Sequence, residues 1–278
     1  MPNLIEDWRA AARPLLIVDE IRPNGTTEGE QLVATLFLET DTRTAVRWAE
    51  TALTVRDQLA RPARDKCFKG STLYGSRQRR SHEPMRDYVR TALNEARGAF
   101  RVTTTNHILK DHPSRRGGIR AVPATPKDQL RVDAIRGDEL VPLLNTIKVI
   151  ASARNLGDIQ MDVLVDRSRQ LGLDPTILGV PPDTIQILGP DTLNHTSDGS
   201  PASLICPTRF RIISAPEEGR LRDLLLIPDA VAYKLNQQKL DEEAREALKA
   251  GQEFWLEEVN LKSLIRDFPK GERPGHHG

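Results

Sequence analysis

The chain has 278 residues, of which 38% are hydrophobic and 28% charged, and a formal net charge of +1; that is apolar material for one sizeable core, so a single domain over residues 1–278 is the simplest organisation. No run approaches the roughly 18 to 20 uncharged apolar residues of a bilayer span, and residues 1–13 lack the apolar stretch of a secretory leader, so a cytoplasmic protein without membrane attachment is expected. Cys67 and Cys206 lie far apart with no CxxC pair, which argues against a disulfide framework or a zinc cluster.

The near-neutral total conceals two basic segments. Arg61 to Arg86 holds eight cations against two acids, a net +6, and Lys110 to Arg136 holds seven against three, a net +4. Such segments suit a phosphate backbone or a solvated surface about equally. The candidate nucleic-acid contacts are Lys69, Arg77, Arg79 and Arg80 in the first and Arg115, Arg116 and Arg120 in the second.

In chain order, Leu15-Leu16-Ile17-Val18 is a buried-strand pattern that ends in Asp19-Glu20. Arg22-Pro23-Asn24-Gly25 signals a turn, and Leu32 to Leu38 reads as an antiparallel partner. Asp41 or Thr42 can cap a helix with the stripe Ala45, Trp48, Ala49, Ala52, Val55, Leu59. Ser81, with Pro84 behind it, opens a second helix carrying Met85, Val89, Ala92, Leu93 and Ala96, which Gly98 is placed to stop.

Phe100 to Thr105 is a β-branched strand, residues 107–136 a long loop, and Asp138 the cap of a further helix. Ile159 to Asp166 then reads as a strand whose period of two sets Asp162 and Asp166 on one face. After a crossover helix it is expected beside the first strand and parallel to it. Thr184 to Leu188 is a short strand and Phe210 to Ile213 an edge strand. The last core helix, from about Glu217, must kink at Pro228 or restart there, which puts Asp229 at a helix start or kink. Residues 14–236 form the core, and 237–278 a helical extension with a frayed tail.

Three separated places thus present an acid on an apolar element: Asp19-Glu20, Asp166 with Asp162 as the weaker member, and Asp229. Functional groups of an open α/β sheet gather at the carboxyl ends of its parallel strands. Carboxylates drawn together repel, and oxygen-only donors favour Mg²⁺ or Mn²⁺ over Zn²⁺. Attack of metal-activated water on a phosphodiester, with two ions about 3.5 to 4 Å apart, is the chemistry suited to such a set. A strand-end acid is also commonly a cap or an ion-pair partner.

Competing motifs are weak. Lys69-Gly70-Ser71-Thr72 lacks the GxxxxGK[ST] pattern of a phosphate-binding loop, so a turn-forming basic loop is expected there; the six histidines include no HExxH pair. No D/E-x-K follows an acidic strand at the spacing of a restriction-endonuclease core.

The ordered segments Asp19-Glu20, Phe68-Lys69-Gly70-Ser71, Val165-Asp166-Arg167 and Arg222-Asp223-Leu224-Leu225-Leu226-Ile227-Pro228-Asp229-Ala230-Val231-Ala232 resemble the domain-of-unknown-function 3800 family. Its members show Asp-Glu-Ser-Gly, a Lys-Gly-Ser-like segment, Asp-Arg, and a terminal Leu-Gln-x-Ala-Asp-x-Ala helix. The resemblance spans about Leu15 to Leu235 in motifs that are individually short. This chain carries Ile21-Arg22 for Ser-Gly and replaces the Gln and Ala before Asp229, but neither change removes an acid.

The resemblance implies a ribonuclease-H-like α/β fold, a mixed sheet flanked by helices with inserted basic loops. It also implies Asp19, Asp166 and Asp229 as ligands of Mg²⁺ or Mn²⁺, with Glu20 as a further catalytic candidate. The resemblance further implies a metal-dependent nuclease acting on DNA or RNA, within a bacterial defence or mobile-element system with a protein partner. The alternative is a non-catalytic subunit that keeps the fold and binds nucleic acid or a partner.

Overall fold

The computed structural model describes residues 4–21, 32–59, 68–75, 80–105, 160–166, 186–188, 209–215, 221–236, 242–250 and 254–266. Its strands form one mixed seven-stranded sheet in the order β5-β6-β4-β1-β2-β3-β7, comprising β1 (Pro14–Ile21), β2 (Leu32–Asp41), β3 (Gly98–Thr105), β4 (Gln160–Asp166), β5 (Gln186–Leu188), β6 (Arg209–Ala215) and β7 (Phe254–Glu258). β1 is antiparallel to β2 and parallel to β4, the pairing expected from the apolar runs. β4 in turn is parallel to β6.

Helices cover one face: α1 (Leu4–Ala10), α2 (Thr42–Asp57), the short α3 (Gly70–Tyr74), α4 (Glu83–Glu95) and α5 (Arg222–Leu235). Alternate residues of β1, Leu15, Ile17 and Ile21, belong there to one buried core with the stripes of α2 and α4, among them Ala45, Trp48, Ala49, Met85 and Val89, and β1 itself packs on α5. The other alternation, Leu16 and Val18 with Val163 and Val165, is also buried, as the continuous apolar runs require of a sheet covered on both sides. α5 is apolar almost all round, with Leu224, Leu225, Leu226, Ile227, Ala230 and Val231 buried, because β1 lies on one side and α2, α3 and α4 on others. Among the described residues no helix is long and apolar enough to cross a membrane.

Asp41 caps α2, its Oδ1 accepting from Thr44 N–H at 2.8 Å. Several boundaries differ from expectation. A 3₁₀ turn at Arg80–His82 precedes α4, so His82 rather than Ser81 occupies the cap position. α4 ends at Glu95, and Gly98 begins β3 instead of stopping the helix. β6 lies between β4 and β5, so the strand expected at an edge is internal.

One helix is continuous through Pro228, so no new helix starts there. Gly70–Tyr74 is helical where a basic turn was expected. The segment 237–278 is not wholly helical: between α6 (Glu242–Lys249) and α7 (Leu261–Arg266) it supplies β7, which pairs with β3 and is held by Arg101, whose Nε donates to Glu257 at 3.0 Å. The loop at 107–136, the helix expected from Asp138 and the tail lie outside the described residues.

Candidate functional site

The parallel pairing of β1 with β4 runs from Leu15 opposite Asp162 to Val18 opposite Val165. Continuing it by one residue sets Asp166 beside Asp19, at the carboxyl ends of adjacent parallel strands, the rim where α/β sheets place their chemistry. Asp19 is 8% exposed. The side chains of Asp166 and Glu20 lie outside the described residues.

α5 crosses β1 and carries Asp229 to the same rim. Asp229 Oδ2 accepts from Gly70 N–H at 2.7 Å, which orients the carboxylate. That approach depends on glycine: a Cβ at residue 70 would stand 2.6 Å from Asp229 O, 2.9 Å from Ala230 Cα and 2.9 Å from Tyr233 Cβ. The residues before it are anchored as well. The Phe68 ring packs edge-on against His82 at 5.1 Å, and the Arg56 guanidinium lies over it at 5.3 Å. Arg56 also forms a forked pair with the buried Asp223 of α5, with Nε donating to Oδ2 at 2.7 Å. Tyr88 O–H reaches Asp223 O at 3.4 Å, and burial pushes its phenol well above the ordinary value, aided by the Asp223 charge. Asp223 is therefore a structural acid and Asp229, six residues on, a differently placed one.

Asp19 and Asp229 line one small pocket of about 40 Å³ together with Phe68, Lys69, Arg222, Leu225 and Leu226. Lys69 was anticipated from the sequence; Arg222 was not, although its spacing of seven from Asp229 is two helical turns and so the same helix face. The pocket thus holds two formal negative and two formal positive charges.

The donors suit a hard divalent cation in kind, carboxylate oxygens from two elements with a third acid's backbone alongside, and the volume accepts a cation with a water or two. Among the described residues, however, no three His, Cys, Asp or Glu side chains come together as a metal-binding group.

The remaining expected residues are not gathered here. Asp162 is fully buried in the opposite part of β4, where Trp8 Nε1–H donates to its Oδ2 at 2.7 Å and Arg13 Nε lies at 3.7 Å; it ties α1 to the sheet. Arg80 is exposed at the start of the 3₁₀ turn. Arg77, Arg79, Arg115, Arg116 and Arg120 lie outside the described residues. Comparison with protein-family models, with curated proteins and with solved structures gave no match.

Proposed function

We propose that the chain is a nuclease of ribonuclease-H-like fold, hydrolysing phosphodiester bonds of DNA or RNA with Mg²⁺ or Mn²⁺ held by Asp19, Asp229 and Asp166. The observation that carries this reading is the convergence of Asp19 and Asp229, from a strand and a helix far apart in sequence, on one polar pocket beside the end of β4. A bound divalent cation would supply an activated water and stabilise charge on the phosphate. The chain's own part is to fix the acids. Gly70 N–H holds Asp229 in one orientation, the β1–β4 pairing sets the spacing of Asp19 and Asp166, and Leu225 and Leu226 supply an apolar part of the lining.

A second reading, a non-catalytic nucleic-acid-binding or interaction subunit, draws on the same pocket: Lys69 and Arg222 balance the two acids without any metal. Asp19→Asn separates the two. Asn keeps the shape and loses the charge, so cleavage of nucleic acid should disappear, as should the Mn²⁺-dependent rise in melting temperature that this reading expects of wild type. Identical melting curves for both proteins with and without Mn²⁺, and no cleavage by either, would favour the non-catalytic subunit.

A further inference from the structure

We propose that a second cavity, independent of the reading above, binds a small organic cation, a protonated amine carried on an apolar body. The cavity has a volume of about 450 Å³ and lies where α4 ends against the turn from β7 into α7. That volume falls within the roughly 300 to 1,000 Å³ of sites that take small molecules. Leu93, Ala96, Val259, Leu261 and Ile265 supply an apolar lining, while Asn94, Arg97, Glu258 and Lys262 stand exposed around it.

Gly98 marks the point of recognition. It opens β3, where glycine is a poor strand former, and its backbone is outside the left-handed region that would call for one. Packing does not demand it either: a Cβ there would stand 3.5 Å from Glu39 Oε2 and 3.8 Å from Glu258 Oε1, both ordinary contacts. What the missing side chain leaves is open cavity beside two carboxylates. The end of α4 adds to their field, because Ala96 N–H closes the last turn on Ala92 O at 3.0 Å and the carbonyls of Leu93 and Asn94 lie beyond the helix's own hydrogen bonds. Of the two cations on the rim, Arg97 is held by Asp41 at 3.3 Å. Lys262 is then the remaining cation of the described lining, set against two carboxylates and a helix end. An ammonium group fits over Gly98, with its apolar body over Leu93, Val259 and Leu261.

Three molecules of similar shape test this: phenethylamine, protonated at neutral pH, the neutral phenethyl alcohol and the anionic hydrocinnamate, each titrated into the full chain and followed by amide chemical shifts. Phenethylamine should bind most tightly and hydrocinnamate least, with the shifts centred on Gly98 and Asn260. Gly98→Ala should fold as stably as wild type or more so, yet weaken phenethylamine about tenfold, because its methyl group takes the place of the ammonium. Glu258→Gln, at an exposed position, should weaken phenethylamine about threefold and leave phenethyl alcohol unchanged. Hydrocinnamate binding as tightly as phenethylamine, unchanged binding by Gly98→Ala, or no binding of any of the three overturns the proposal. A peptide such as acetyl-Ala-Lys-Ala-amide that shifts the same amides while phenethylamine does not would overturn it in favour of a lysine presented by another protein.

Discussion

The two ends of the β1–β4 pair use the same residue type for opposite purposes. Near the amino end, Asp162 is sealed from water and committed to the indole of Trp8, with Arg13 beside it and Asp7 paired to Arg13 in turn. At the carboxyl end, Asp19 meets Asp229 in a pocket with Lys69 and Arg222. Both places contain acids and cations. What differs is enclosure: one acid is fully buried on donors fixed by the fold, and the others border a space that a further ion can enter. Burial with a specific donor marks a structural acid; convergence on a cavity from separate elements marks a functional candidate.

Removing a carboxylate should therefore be costly at one end and nearly free at the other. Asp162→Ala leaves Trp8 Nε1–H without its acceptor in the core, while Arg13 keeps its pair with Asp7, and should destabilise the protein by about 3 kcal/mol in urea unfolding. Gly70→Ala comes next. Its methyl group must push α3 away from α5, at roughly 1 to 3 kcal/mol, and should loosen Asp229, whereas Ser71→Ala on the exposed side of α3 should do neither.

A smaller effect belongs to Glu95, at the end of α4. The hydrogen bond from Trp48 Nε1–H at 2.7 Å, with help from Arg47, holds its carboxyl below the ordinary value of 4.5. A depressed folded-state pKa contributes stability that is present above the ordinary value and lost as pH falls through the depressed one. Melting temperatures of wild type and Glu95→Gln should accordingly differ near neutrality and converge as the pH falls below the ordinary carboxyl value and through the depressed one. The least effect on stability is expected for Asp19→Asn without metal, within about 0.5 kcal/mol of wild type, because the amide keeps the shape of the carboxylate and one of its accepting oxygens. A loss comparable to that of Asp162→Ala would erase the distinction between the two ends.

Much of the scaffold is legible in the sequence because its signals are local. The apolar run ending at Asp19, the β-branched run of β3, and the Asp41 cap with its 3.6-residue stripe each specify their element without reference to anything distant. The alternation through Asp162 to Asp166 likewise gave the face of β4. What escaped was set by partners. Trp8 lies 154 residues from Asp162, so the donor that makes Asp162 a structural acid is not visible in the sequence around it. Gly70-Ser71-Thr72 are poor helix formers, and α3 exists because it packs on α5. Phe254–Glu258 sits between helix-forming stretches and becomes a strand through its pairing with β3. Arg222 shares a helical face with Asp229 in plain view, but only the tertiary structure adds Lys69 to it.

The pairing of β7 with β3 has a consequence for synthesis. β3 lies next to β2 in space and in sequence follows it closely, whereas the strand that covers its outer edge, Phe254–Glu258, is translated long after Gly98–Thr105. Until then a ribosome-bound chain presents β3 with a row of unpaired N–H and C=O groups, a template for strands of other molecules. Arg101, buried in the finished sheet, must stay hydrated through that interval because Glu257 has not yet been made. A cation on an uncovered edge discourages pairing with another chain, so the residue that later clamps β7 in place first serves as the guard of the position that β7 will fill.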